Sequence, residues 1–234
     1  MQLFYNPNIS ENDTKFTFNK EESKHIVKVL RKNIGDTLHI TNGKGLLFTA
    51  EIIIPDIKKC TVNIVSKSLQ PKRDYSLHLA VTPTKMNDRY EWFLEKVTEI
   101  GIDSITPIIC NRSERKVIKA ERLEKIIQSA MKQSLNCYLP KLNESIAFNN
   151  FIKQDFKGDL FIAHCEETDR QSLKQSLQPK KDITILIGPE GDFSVKEIEQ
   201  ALQNSFKPVT LGETRLRTET AAIVACHSVA FINE

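Results

Sequence analysis

Cysteine is scarce in this 234-residue chain and arranged to exclude two classes at once. Its five cysteines are an odd number, widely scattered and without a C-x-x-C pair. That spacing supports neither a disulfide framework nor a zinc site, and it points to a reducing compartment. The five histidines show no metal-ligand spacing. No apolar run approaches the roughly 18 residues that a membrane span requires. The start, Met1-Gln-Leu-Phe-Tyr-Asn-Pro, has neither a basic lead nor a long apolar stretch, so the expected location is the cytoplasm. A glycine fingerprint leading from a strand into a helix is missing, as are a phosphate-binding P-loop and a G-x-S-x-G nucleophile elbow. Their absence argues against a Rossmann dinucleotide site, a nucleotide triphosphatase and an α/β-hydrolase. The net charge of +3 is too small to indicate nucleic-acid binding by itself.

The distribution of charge says more than the total. Residues 1–72 hold 11 Lys and Arg against 7 Asp and Glu, and the remaining residues hold 22 against 23. The positive excess lies in the N-terminal third. It is either a solvated lysine-rich surface or a face that meets phosphate.

Hydrophobic patterning divides the chain into two parts. The first 70 residues read as a small β-rich unit with one helix. Asn19 and Glu22 have capping-box spacing, and Ile26, Val29 and Leu30 follow at helical intervals up to Gly35. Strands are expected over Thr37–Thr41 and Leu46–Ile54 around the turn Asn42-Gly43-Lys44-Gly45, and over Cys60–Val65. The polar stretch Ser66–Asp74 is the expected linker to a second domain over residues 74–234. From there strands (Leu77–Thr82, Ser104–Ile109, Asp159–His164, Ile183–Ile187, Val209–Leu211) alternate with helices. Helices are placed at Tyr90–Ile100, around Leu123–Met131, from Ser194 and from about Thr218. The alternation predicts a mostly parallel α/β sheet.

Ligands of such sheets bind beyond the carboxyl ends of the strands. Two ends stand out. At Gly188-Pro189-Glu190-Gly191-Asp192 an apolar strand meets a tight turn, and Ser194 and Glu197 then have capping-box spacing for a helix. Gly188 and Gly191 are read as residues that permit positive φ and close approach to a ligand. At Leu211-Gly212-Glu213-Thr214-Arg215-Leu216-Arg217 a strand ends in a charged loop before the apolar helix 221–232. That helix has no polar face and is expected to be buried, in a core or at a homodimer interface. His227, within it, is read as a core histidine. His164, at a strand end, is a candidate for the wall of the same crevice.

These paired segments, Ile187-Gly-Pro-Glu-Gly and Leu211-Gly-x-x-x-Leu216-Arg-x-Glu-Thr-Ala221, resemble the small-subunit ribosomal RNA uracil-N3 methyltransferase family of the knotted (SPOUT) superfamily. The resemblance runs the length of the chain. It includes His25–Arg31 with Gly35-Asp36, then Lys85, Arg89, Glu91, Lys96, Thr98, Glu99, Gly101 and Pro107, and finally Ser113-Glu-Arg115 and Gln133-Ser134 with Pro140. The chain departs from the family pattern at Lys132 and Asn136, and at Asp192, where a second glycine is frequent. The resemblance implies an α/β trefoil-knot methyltransferase domain behind an N-terminal PUA-like β-barrel that binds RNA, and a homodimer. It also implies S-adenosyl-L-methionine as cofactor and 16S rRNA of the small ribosomal subunit as partner. On that basis the cofactor residues are Gly188, Pro189, Glu190, Gly191, Leu211, Gly212, Leu216, Arg217, Thr218, Glu219 and Thr220. Arg217 is the group expected to stabilise negative charge on the uracil, and an ion pair of Arg217 with Glu219 or Glu190 is the alternative. Lys28, Arg31, Lys85, Arg112, Arg115 and Lys116 are the RNA-binding candidates. No residue is distinguished as the general base. A knotted enzyme acting on another RNA atom and a non-catalytic RNA-binding protein remain alternatives.

Overall fold

The computed structural model describes residues 1–166 and 170–234. Contacts divide the chain into two compact units, residues 1–72 with 131–139, and residues 73–130 with 140–234.

In the first unit, strands β1 (Leu3–Tyr5), β2 (Lys15–Thr17), β3 (Thr37–Thr41), β4 (Leu46–Ile54) and β5 (Thr61–Leu69) form a sheet in the order β1-β3-β4-β5-β2. β1 runs parallel to β3 and the other pairs are antiparallel. Alternate residues of β3 and β4 (Leu38, Ile40, Phe48, Ala50, Ile52) point into one core with Phe4, Phe18 and Ile26. The polar stretch expected to be linker is strand up to Leu69. Ser66, Lys67, Ser68 and Leu69 pair with Thr49, Phe48, Leu47 and Leu46, and their side chains are exposed, which is why composition conceals the strand.

The predicted helix of this unit begins as read, with the Asn19 side chain accepting from Glu22 N at 2.9 Å and capping α1 (Lys20–Lys24). It then widens into a π-helix over His25–Val29, closed by Leu30 N donating to His25 O. The wider turn rotates the apolar face. Ile26 stays buried and Val27 and Leu30 pack on the core, while Val29, expected on the inner face, is 66% exposed. Residues 131–139 add to the hairpin end of the sheet. Gly45 N donates to Cys137 O at 2.8 Å and Leu139 N to Gly43 O at 2.9 Å.

The second unit is the expected parallel sheet. Its strands are β6 (Leu77–Val81), β7 (Ser104–Ile109), β8 (Lys141–Leu142), β9 (Ile146–Ala147), β10 (Asp159–Ala163), β11 (Gln171–Ser172), β12 (Ile183–Ile187) and β13 (Lys207–Thr210). They are ordered β11-β13-β10-β12-β6-β7-β8, with β9 also on β7. All five residues of β12 are buried, as a strand covered on both faces must be. The helices are α2 (Asn87–Ile100), α3 (Ala120–Gln133), α4 (Phe148–Phe151), α5 (Leu173–Ser176), α6 (Val195–Gln203) and α7 (Thr218–Ile232). On one face of the sheet Ala80, Ile162 and Leu186 pack with Phe148, Phe151, Phe193, Ile198 and Phe206, under α4 and α6. α7 packs against α2, β6 and β12. There Cys226 Sγ lies 3.9 Å from Val97 O and 3.8 Å from Gly101 O.

One expectation for the last helix, its core histidine, is corrected. Within one chain the helix is covered on one side. Ala222, Ala225, Cys226 and Val229 are buried, but Phe231 is 64% exposed. His227 is not a core residue, because its place on the helix turns it to the exposed face, where its ring stacks on Phe231 at 6.0 Å. Among the described residues, no helix is long and apolar enough to cross a membrane.

Candidate active site

The order of the sheet decides where a ligand can sit. β12 lies between β6 and β10, and β13 lies beyond β10, so the chain reverses direction across the sheet at this point. The loops leaving β10, β12 and β13 at their carboxyl ends therefore converge. Together they line a cleft of about 660 Å³, a volume usual for small-molecule sites.

The wall after β12 is the turn Gly188–Asp192. Asp192 N donates to Pro189 O at 2.9 Å. Neither Gly188 nor Gly191 takes the positive φ expected of it. That conformation falls to Asp192, at φ +62°. Gly188 is needed for packing, because a Cβ there would meet the buried Phe193 ring at 3.0 Å. Asp192 tolerates the left-handed region because its short carboxylate bonds locally. Oδ1 accepts from Phe193 N at 2.8 Å, and Oδ2 accepts from Cys165 N at 2.7 Å, tying this turn to the loop after β10. α6 starts with the predicted capping box between Ser194 and Glu197, and Glu197 also accepts from Asn111 N at 2.7 Å. Thr218 Oγ1 donates to Gly188 O at 3.0 Å and fixes the start of α7 against the turn.

The wall after β13 is more open. Gly212 sits at φ +146°, and a Cβ added there meets nothing within 4 Å. Leu211 through Thr218 line the cleft, as do Gly188 through Asp192, whereas Glu219 and Thr220 do not. Arg217 is exposed at the N-cap of α7, and among the described residues its guanidinium has no ion pair. The proposed alternative, a fixed pair with Glu219 or Glu190, is not formed. Glu219 instead lies 3.8 Å from Arg89 Nε. Glu190 spends Oε1 on Lys85 N, and its carbonyl accepts from Arg215. Its Oε2 is buried and, among the described residues, without a donor.

The third wall was the least legible. His164 follows β10 and is 5% exposed, with Cys165, Glu166 and Arg170 beside it in the cleft. Burial pushes its pKa below the ordinary 6.5. Arg170 adds to that effect, while Asp192 and Glu166 oppose it.

The RNA-binding candidates are placed in different surroundings. Lys28 and Arg31 are exposed in the first unit, Lys28 on the π-helix and Arg31 at φ +54° just beyond it. In the second unit Lys116 is exposed, and Lys85 Nζ meets Glu114 at 2.8 Å, which raises its pKa. Arg112 and Arg115 brace loops. Arg112 donates to Gly191 O at 2.8 Å, and Arg115 donates to Thr84 O at 3.1 Å and Lys85 O at 2.6 Å. Of the departures from the family pattern, Lys132 lies 3.8 Å from Glu22, and Asn136 Oδ1 accepts from Tyr138 N at 3.0 Å.

Comparison with known proteins agrees with this arrangement. An RNA methyltransferase domain matches residues 71–230, and an RNA methyltransferase PUA domain matches residues 18–65. Ribosomal RNA small subunit methyltransferase E of Rickettsia conorii is 30% identical, over 99% of this chain and 95% of its own length. The Bacillus subtilis protein of the same name is 27% identical, over 94% and 91%. Among solved structures, a probable rRNA-methyltransferase from Porphyromonas gingivalis has a TM-score of 0.91 at 42% identity, covering 100% of this chain and 98% of that one. A Legionella pneumophila methyltransferase in complex with bound SAM has a TM-score of 0.88 at 28% identity, covering 99% and 97%. The chain is an RNA methyltransferase, and it belongs to the ribosomal RNA small subunit methyltransferase E family.

Proposed function

We propose that this enzyme uses S-adenosyl-L-methionine to methylate N3 of a uridine in 16S rRNA of the small ribosomal subunit. The observation that carries the reading is the cleft between the two glycine turns, with a buried carboxylate oxygen at Glu190 that lacks a donor among the described residues. An unmet acceptor of this kind is costly unless a ligand supplies the donor. The hydroxyls and ammonium of the cofactor are such donors, so the residues present fit it. Gly188, Glu190, Gly191, Leu211, Gly212, Leu216 and Thr218 would hold it, with the open side of Gly212 giving backbone access. When bound, S-adenosyl-L-methionine supplies an electrophilic methyl group on a positively charged sulfur.

The chain's own residues then have three tasks. The turn at Gly188, pinned by Thr218 and Arg112, orients the bound molecule. Arg217, at the mouth and without an ion pair among the described residues, stabilises the negative charge that the uracil carries once N3 loses its proton. The base itself must leave its surroundings to reach the cleft. RNA backbone is gripped by the PUA-like unit through Lys28 and Arg31, with Lys85, Arg112, Arg115 and Lys116 at the catalytic unit.

We also infer a trefoil knot and a homodimer. The knot is supported by the path of the chain, since α7 returns from β13, beyond β10, to pack on β12 and β6. The dimer is supported by Phe231, an aromatic ring 64% exposed near the end of α7. The test of the reaction is mass-spectrometric mapping of small-subunit RNA treated with the enzyme and cofactor. A single methyl on uracil N3 is expected. A methyl on a ribose oxygen, or no product, refutes the assignment.

A further inference from the structure

The residues assigned above leave the acceptor's proton without a destination, and one buried side chain of the cleft is unused. His164 follows directly on β10, the strand flanked by β12 and β13, so it stands between the two glycine turns. It is 5% exposed, yet neither Nδ1 nor Nε2 has a hydrogen-bond partner among the described residues. His78, on β6 of the same sheet, shows what a structural role looks like. His78 Nε2 is bonded to Thr106 Oγ1 at 2.7 Å, with its ring against Phe151. At His164 the main chain is pinned instead of the ring. Its carbonyl accepts from Arg170, and the next amide, Cys165 N, donates to Asp192 Oδ2 at 2.7 Å. The backbone is clamped while the imidazole, on a residue that lines the cleft, is left unmet.

The charged surroundings favour a proton acceptor. Asp192 comes from the turn after β12, and Glu166 and Arg170 come from the histidine's own loop. Glu213, Arg215 and Arg217 line the same cleft from the loop after β13. Burial favours the neutral imidazole, in which one ring nitrogen carries a free lone pair. The Asp192 carboxylate is in place to stabilise the imidazolium that forms.

We propose that His164 is the catalytic base of the methyl transfer, an assignment that rests on the N3-methylation reading above. The N3–H bond breaks, its proton goes to the free imidazole nitrogen, and its electron pair stays on N3. That pair forms the N3–methyl bond as the sulfur–methyl bond breaks, and the leaving pair neutralises the sulfur. One positive charge is thereby moved from sulfur to His164, and the imidazolium later releases its proton to water.

The test combines single-turnover methylation against pH, calorimetry with S-adenosyl-L-methionine, and nitrogen NMR of the histidine rings. In the wild type the rate should rise with pH to a plateau set by an imidazole titrating below 6.5. His164→Gln and His164→Asn should lower the plateau by about 10²–10⁴ and abolish that limb. Cofactor affinity should change by less than about threefold, since the lost group acts on the acceptor. The His164 ring signal should move when a uridine-containing RNA is added to the cofactor complex. A folded variant at the wild-type rate overturns the proposal. So does a loss of cofactor affinity that matches the loss of rate, which would make His164 a cofactor ligand. If neither variant folds, a wild-type ring signal unmoved by RNA overturns it. A wild-type product methylated at another atom would refute the N3 reading alone, and the pH limb and ring signal would still decide the role of His164.

Discussion

Replacing Asp192 separates two effects that one residue combines, a strained backbone and a hydrogen bond between loops. Its carboxylate accepts from Cys165 N at 2.7 Å, and a hydrogen bond to a charged group contributes about 1.5–3 kcal/mol. Asp192 is only half-buried, so the lower end, about 1.5 kcal/mol, is appropriate. Its φ of +62° costs an ordinary L-residue roughly 1–2 kcal/mol, a penalty that glycine escapes. Asp192→Ala should therefore lose both contributions and destabilise the protein by about 2.5 kcal/mol. Asp192→Gly should lose the carboxylate's bonds to Cys165 N and the adjacent Phe193 N without the backbone cost, about 1.5 kcal/mol. Asp192→Asn keeps an acceptor of the same shape without the charge and should cost about 1 kcal/mol or less. Urea unfolding of the three variants, with the dependence on urea held equal, measures each value. Equal stability of the Ala and Gly variants would refute the backbone argument. A Gly variant as stable as wild type would show that the tie to Cys165 contributes nothing.

Four further outcomes are expected. Gly212→Val forces a β-branched residue to φ +146°, so calorimetry should show S-adenosyl-L-methionine binding abolished in a folded protein, and undiminished affinity would contradict the open-wall reading. Lys28→Ala with Arg31→Ala should flatten the salt dependence of log K for RNA by about 1.4–1.8 without altering cofactor affinity, if both meet phosphate. Arg217→Ala should cut single-turnover methylation by about 10²–10³ while RNA affinity holds, and an unchanged chemical step would remove its assigned role. His78, held by burial at a pKa of about 4, binds its proton more readily in the unfolded chain, near 6.5. Stability should therefore fall as pH drops from about 6.5 towards 4, by up to about 3 kcal/mol, and a His78→Gln variant should lose that slope in urea titrations.

What the sequence alone made legible was local and periodic. The strands Thr37–Thr41, Leu46–Ile54, Ser104–Ile109 and Ile183–Ile187 have the limits the pattern indicates. Alternation and apolar runs are imposed by burial, and burial is the dominant stabilising force. The starts of the helices at Lys20 and Val195 were legible because a cap is a contact within four residues. The two glycine turns were visible for the same reason, and their motifs carried the family. Long-range arrangement was not legible. The strand over Ser66–Leu69 looks like linker because its side chains are exposed and its partner is β4. The π-helix at His25 turned Val29 outward, a shift of register that periodicity assumes away. His227 faces outward because only the packing of α7 on α2 and the sheet decides which side of an apolar helix is covered. Asp192 resembled an ordinary turn residue until the structure brought Cys165 to it, 27 residues away in sequence. His164 was a candidate wall residue from its strand end, and it does line the cleft, but its unmet imidazole is a property of what surrounds it and only the fold shows that. The sequence by itself determined the elements, the glycine turns and the charge of the N-terminal third. The tertiary structure alone decided which strand ends meet, since the order of a parallel sheet is set by contacts between residues far apart in the chain.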